Sequence, residues 1–291
     1  MTPNQTTVLK FDGVDDYGTI PDNSAYSYVT NNALTVSVWF RPDSLMMPSH
    51  EGSGYVEWLS KTGNNKNEWL FRMYRSDNSE SRENRISFYH FTSTGGLGSG
   101  AAFQDVVKPG EWIDLVGTMG TQFISIYKNG IFRSKDDWVA YPVTPSDTTS
   151  TIRVGAGGDN SDNLHSFLQG AIADLRIYNR VLSDAEILDL SHNVNVSSGL
   201  VGWFKGSEGS ATVLADSSVT ANNGTLSGVS SEAIAIRKRK TEYDNIPSKS
   251  INVTNTTLSR KTIRNSTNSL SLNGTSQNAT ITDADQVNLD V

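Results

Sequence analysis

Asn129-Gly130, set between Phe123-Ile124-Ser125-Ile126-Tyr127-Lys128 and Ile131-Phe132, leaves this chain little local choice. Both central residues tolerate positive φ, so a type I′ turn joining two strands is predicted there. The alternation recurs elsewhere. Ala33-Leu34-Thr35-Val36-Ser37-Val38-Trp39-Phe40 sends Leu34, Val36, Val38 and Phe40 to one face, and Arg41-Pro42-Asp43 ends it. Further strands are predicted over Val56 to Ser60, Glu68 to Tyr74, Arg85 to Phe91, Ala101 to Val106, Trp112 to Met119, Ile152 to Gly155 and Gly170 to Tyr178, separated by turn-forming clusters. Ser183-Asp184-Ala185-Glu186 then has capping-box spacing and opens a short helix that sets Ile187, Leu188 and Leu190 against the sheets. The fold class is therefore all-β: a two-sheet antiparallel β-sandwich of jelly-roll type with one short C-terminal helix.

Leu9 to Ile20 reads as two strands about an acidic turn at Asp12-Gly13, and its pattern returns about 261 positions later as Leu270 to Ile281. Apolar and turn positions persist in the second copy, whereas Asn273, Ser276 and Gln277 replace acids. The sandwich is expected over residues 1–195. Residues 196–291 then form a linker and an incomplete second unit, or Leu200 to Leu226 packs back on the first.

A chain of 291 residues buries a real core, and a net charge of −7 argues against nucleic acid as the main partner. The absence of cysteine removes disulfides, thiolate metal sites and cysteine nucleophiles. No apolar run reaches the length of a membrane span, and Met1 to Thr7 lacks the basic and then apolar profile of a secretory signal.

Phe11-Asp12-Gly13-Val14-Asp15-Asp16-Tyr17, the Val36-Ser37-Val38-Trp39-Phe40 strand, Gly110-Glu111-Trp112, the Asn129-Gly130 hairpin and Gly170-Ala171-Ile172-Ala173-Asp174-Leu175-Arg176-Ile177-Tyr178 stand in an order that resembles the laminin-G-like, concanavalin A-like lectin/glucanase superfamily. The resemblance covers roughly residues 8 to 192 and implies the sandwich fold. The superfamily contains glycanases, whose usual Glu-x-Asp-x-x-Glu strand is missing here. His50, His90, His165 and His192 sit in no nucleophile-elbow context either, so no catalytic residue is assigned and the protein is read as not an enzyme.

Two kinds of site remain. A tight Asp-Gly turn offers carboxylate and carbonyl oxygens to a hard cation, and the resemblance implies that this turn meets the strand carrying Asp174. Calcium would then be held by Asp12, the Gly13 carbonyl and Asp174, with Asp15 or Asp16 contributing; the alternative is plain turn chemistry. Sugars need an aromatic platform with polar groups beside it, and the candidates are Trp58, Trp69, Tyr74, Tyr89, Trp138 and Tyr141, rimmed by loops 43–54, 75–84 and 156–166. Trp39 and Trp112 read as packing residues, and the Gly95 to Gly100 run as a flexible loop.

The expected function is a non-catalytic carbohydrate-binding or adhesion module, calcium-stabilised, displayed on a particle or cell surface, with a cell-surface or polysaccharide glycan as partner. The alternative is a structural virion protein, as in phage capsid decoration, neck or tail fibre, that contacts other virion proteins and forms a homo-oligomer. An extracellular-type fold with neither signal nor cysteine fits a particle released by lysis.

Overall fold

The computed structural model describes residues 2–49, 54–63, 66–91, 98–137, 145–159, 161–208 and 212–234, and the backbone of two short strands beyond them. Among the described residues the sandwich is built from β1 (Thr7–Asp12), β2 (Tyr17–Ile20), β3 (Leu34–Pro42), β4 (Tyr55–Lys61), β5 (Trp69–Tyr74), β6 (Ile86–His90), β7 (Ser99–Phe103), β8 (Ile113–Gly120), β9 (Phe123–Lys128), β10 (Ile131–Asp136), β11 (Ile152–Val154), β12 (Gly157–Gly158), β13 (Leu164–His165), β14 (Gln169–Tyr178), β15 (Leu200–Phe204), β16 (Val213–Leu214), β17 (Gly224–Ser227) and β18 (Ser230–Ala233). Two α-helical pieces are α1 (Tyr28–Asn31) and α2 (Asp184–Ser191). No described helix is long and apolar enough to cross a membrane.

The first sheet runs β10-β9-β8-β3-β14-β1-β18, with β15 also against β14; the second runs β16-β17-β2-β11-β4-β5-β6-β7. Every pairing is antiparallel. Alternation explains the layering, because one parity of each strand meets the opposite sheet. Leu34, Val36, Val38 and Phe40 of β3 face Trp58, Phe71, Met73 and Phe88 of the second sheet in one continuous core. The Phe40 and Trp58 rings stack at 4.0 Å, Trp58 and Phe71 at 5.4 Å, and Phe71 meets Phe88 at 4.7 Å. Each such pair adds about 0.5–1.5 kcal/mol beyond the area it buries.

The predicted hairpin is present, with Asn129 at φ 53° and Gly130 at φ 78° between β9 and β10. Helix α2 carries its capping box, the Ser183 hydroxyl accepting from the Glu186 amide while the Glu186 carboxylate accepts from the Ser183 amide. Its buried Ile187 and Leu190 cover Val116, Tyr127 and Tyr178 on the outer side of the first sheet.

Residues 200–233 do not begin a separate sandwich. β15 pairs with β14, β17 with β2 and β18 with β1, so this segment supplies strands to both sheets of the first. Arg41 fixes the last of them by clasping the Glu232 carboxylate through both terminal nitrogens while also holding Asp43. The compact unit accordingly spans Met1–Ile236. The second unit spans Arg237–Val291, and its described part is an antiparallel pair, β19 (Asn252–Thr254) with β20 (Asn278–Thr280). Apart from the backbone of β20, the repeat at Leu270 to Ile281 lies outside the described residues.

Candidate functional site

Strand parity decides which aromatics are open. In β5, Trp69, Phe71 and Met73 point into the core and Leu70, Arg72 and Tyr74 point away from it. Trp58 and Trp69 are both 0% exposed, with Trp69 donating its indole N–H to the Tyr26 carbonyl at 3.1 Å. Neither has a face left for a sugar, which corrects the expectation for both. Trp138 and Tyr141 lie outside the described residues. Trp39 and Trp112 pack together with Val8, Ala171 and Ala173 against the outer side of the first sheet.

Tyr74 and Tyr89 lie in one cluster with two residues that composition hides, Tyr55 and Arg72. Register places Tyr55 opposite Tyr74, Glu57 opposite Arg72, Leu70 opposite Tyr89 and Arg72 opposite Ser87, all on the outer face of the second sheet. The Arg72 guanidinium carbon lies 4.3 Å from the Tyr89 ring centroid, 4.7 Å from Tyr55 and 5.6 Å from Tyr74. Its Nε donates to the Ser87 hydroxyl at 3.1 Å. Tyr55 meets Tyr74 edge-on at 5.8 Å, and Tyr89 leans on Phe91 at 4.9 Å. Tyr55, Arg72, Tyr89 and Phe91 are half-buried, whereas Tyr74 is only 3% exposed and takes a hydrogen bond on its hydroxyl from Arg82 at 3.2 Å.

Glycine makes room for this arrangement. A side chain at Gly98 or Gly100 would collide with the Tyr89 ring, so the ring lies across the β7 edge only because both positions lack one. The Gly98 amide also donates to the Tyr89 hydroxyl at 3.1 Å. The end of the glycine run is thus the bed of an aromatic ring, and Ser99–Phe103 is a strand; residues 92–97 lie outside the described residues. On the other flank, β12 and β13 fold a small hairpin beside β4, where a Cβ on Gly157 would meet the Glu57 carboxylate and the His165 ring at 2.7 Å each. Glu57 is the only carboxylate that β4, β5, β6 and β7 carry.

The acidic turn joins β1 of the first sheet to β2 of the second. One carboxylate oxygen from each of Asp12, Asp15 and Asp16 lies within 4.8 Å of the others. Asp12 Oδ1 accepts from the Val14 amide at 2.7 Å and the Asp15 amide at 3.4 Å, while Asp16 Oδ2 accepts from the Asp12 amide at 2.9 Å. The second oxygens of Asp12 and Asp16, and the Asp15 carboxylate, have no protein donor among the described residues. Burial, with the nearby charges of Asp12 and Asp15, holds the Asp16 carboxyl above its usual range against the pull of the Asp12 amide.

Asp174 is not part of that cluster. Asp12 sits opposite Gln169, five residues earlier on β14, or about 16 Å away along the strand. Asp174 instead occupies a left-handed bulge (φ 50°) between the stretches of β14 that pair with β1 and with β15. Arg176 clasps its carboxylate with both N–H···O distances at 2.9 Å, and the Trp203 indole donates to it at 2.6 Å. Its role is to weld β15 to the sheet.

Comparison with known proteins agrees with this architecture. A family profile described as the concanavalin A-like lectin/glucanases superfamily matches residues 12–188, more than half of the chain. The chain belongs to the concanavalin A-like lectin/glucanases superfamily. No curated protein matches it. Among solved structures, a proposed carbohydrate-binding protein from Bacteroides ovatus ATCC 8483 is 14% identical with a TM-score of 0.57, over 79% of this chain and 60% of that one. The chain therefore spans less than two thirds of that protein's length. A heptameric SAP-like pentraxin from Limulus polyphemus is 14% identical with a TM-score of 0.51, over 78% of this chain and 96% of its own. At such identity the likeness concerns the fold.

Proposed function

We propose that the protein is a non-catalytic carbohydrate-binding module, displayed outside the cell, and that its site is the outer face of the second sheet at Tyr55, Arg72, Tyr74 and Tyr89. The observation that carries this reading is the half-buried Tyr89 ring, laid over two glycines beside Tyr55 and a guanidinium. A pyranose presents an apolar face and an edge of hydroxyls, and a tyrosine platform with an adjacent fan of N–H donors answers both. The superfamily and the name of the Bacteroides structure support the same class of ligand. Hydrolysis by the usual pair of carboxylates finds one acid, Glu57, on strands β4 to β7. A glycan array on the full chain tests the reading: selective binding that Tyr89→Ala abolishes, with the melting temperature kept, is the expected result. Absence of binding to any glycan, together with a stable homo-oligomer, overturns it in favour of protein contact, and turnover of any polysaccharide removes the non-catalytic part.

The calcium site belongs to the same proposal in narrower form. Three clustered carboxylates with unused oxygens favour a hard cation at the acidic turn, held by Asp12, Asp15 and Asp16 without Asp174. Calcium at millimolar level should raise the melting temperature of the wild type by several degrees, and Asp15→Asn should remove most of that rise. Equal curves with calcium and with chelator mean that the acids serve the turn alone.

A further inference from the structure

Arg72 differs from the other described arginines in what it holds. Arg41, Arg75, Arg82, Arg133, Arg153, Arg176 and Arg180 each pair with a carboxylate, and Arg85 donates to the Gln104 amide oxygen. Arg72 spends one N–H on the Ser87 hydroxyl, and its two terminal nitrogens have no acceptor among the described residues. Glu57, its opposite number across β4 and β5, is no ion-pair partner of Arg72: its carboxylate lies at Gly157, beside His165. A guanidinium kept half-buried with four N–H groups unspent among the described residues is unusual, because each is a strong donor and a partner lowers its free energy.

We infer that the ligand of this platform is an acidic sugar, whose carboxylate or sulfate takes the two terminal nitrogens of Arg72 while its ring lies on Tyr89 or Tyr55. The inference rests on the carbohydrate reading and adds the substrate class. The Ser87 hydroxyl turns Nε inward and fixes the guanidinium in its plane, which leaves the end-on edge, Nη1 and Nη2, as the fork for a planar anion. The tyrosine rings set the cation among π-faces instead of beside a competing acid, so the positive charge stays available. A net charge of −7 opposes any polyanion at long range. Selection therefore belongs to this one contact, and affinity falls with salt only as one pairing requires.

Three probes on the full chain separate the possibilities by titration calorimetry: an oligogalacturonate, its methyl ester, and a sulfated neutral oligosaccharide. The expected result is binding of the uronate or the sulfated probe, loss of at least about tenfold on esterification or in Arg72→Gln, and a smaller loss in Arg72→Lys, which keeps the charge without the fork. Preference for the free uronate assigns a carboxylate, and preference for the sulfated probe assigns a sulfate. Binding of acid, ester and neutral sugars alike that Arg72→Gln leaves unchanged and Tyr89→Ala abolishes overturns the acidic-sugar inference and keeps the carbohydrate reading. Absence of binding by every sugar, neutral ones included, overturns both. Melting curves confirm that Arg72→Lys and Arg72→Gln are folded.

Discussion

Asp114 is a buried acid that the sheet isolates. It stands opposite Trp39 on the outer side of the first sheet, is 0% exposed, and neither carboxylate oxygen has a hydrogen-bond partner among the described residues. Burial, reinforced by the charge of Asp174 and only partly opposed by Arg176, pushes its carboxyl up to about 8. The folded state then keeps a proton that the unfolded chain has lost, from the ordinary value of 3.8 upward. Stability carried by that proton is complete below about pH 4 and is lost as the pH rises towards about 8. Asp114→Asn, which mimics the neutral acid, should flatten this part of the profile and raise the melting temperature most at alkaline pH. Parallel melting profiles for variant and wild type from acid to alkali would show that folding does not raise the Asp114 pKa. Alternation makes a related distinction readable without coordinates. Trp69 shares parity with Phe71 and Met73, whereas Arg72 shares it with Tyr74, so strand parity is enough to separate a core tryptophan from a surface cluster. The hidden part is Tyr89 on Gly98 and Gly100, because a glycine run carries the same letters whether it is a loose loop or a bed for a ring.

Among elements, β15 to β18 are what the sandwich lacks without its last 40 or so residues. β17 closes on β2, β18 closes on β1, and the Arg41 to Glu232 clasp is shut only when β18 is present. A chain ended at residue 195 should therefore leave the outer edges of β1 and β2 unpaired and aggregate or melt far earlier. A chain ended at residue 236 should melt like the full protein; equal melting of the two truncations would show that these strands are accessory. Local pattern reads the strands themselves well, the Asn129-Gly130 hairpin and the Ser183 to Glu186 box included. It does not read their partners here. β1 and β18 are joined across more than two hundred residues, and pairing at that range is set by which edge is left open, a property of the assembled sheets.

On the scale of the whole molecule, two features previously grouped as one chemistry separate. The acidic turn links the sheets at one place, and Asp174 secures β15 at another, so family resemblance merged an acidic turn with a structural ion pair. The reason is physical. Asp174 is drawn to the nearest guanidinium, two residues on along the same strand, and a bulge at positive φ lets it reach that partner. The proposed ligand face draws on still another part of the chain, β4 to β7, inside the span that the family profile matches.

The pairing of Thr7 with Ala233 has a mechanical meaning as well. Chain arriving at β1 and chain departing from β18 do so side by side, at one corner of the sandwich. Tension along the backbone would load the β1 and β18 ladder one rung at a time, as a zip is opened, instead of shearing all rungs together. Until the first rung parts, the sandwich adds almost nothing to the length of a stretched tether: it hangs from it as a pendant.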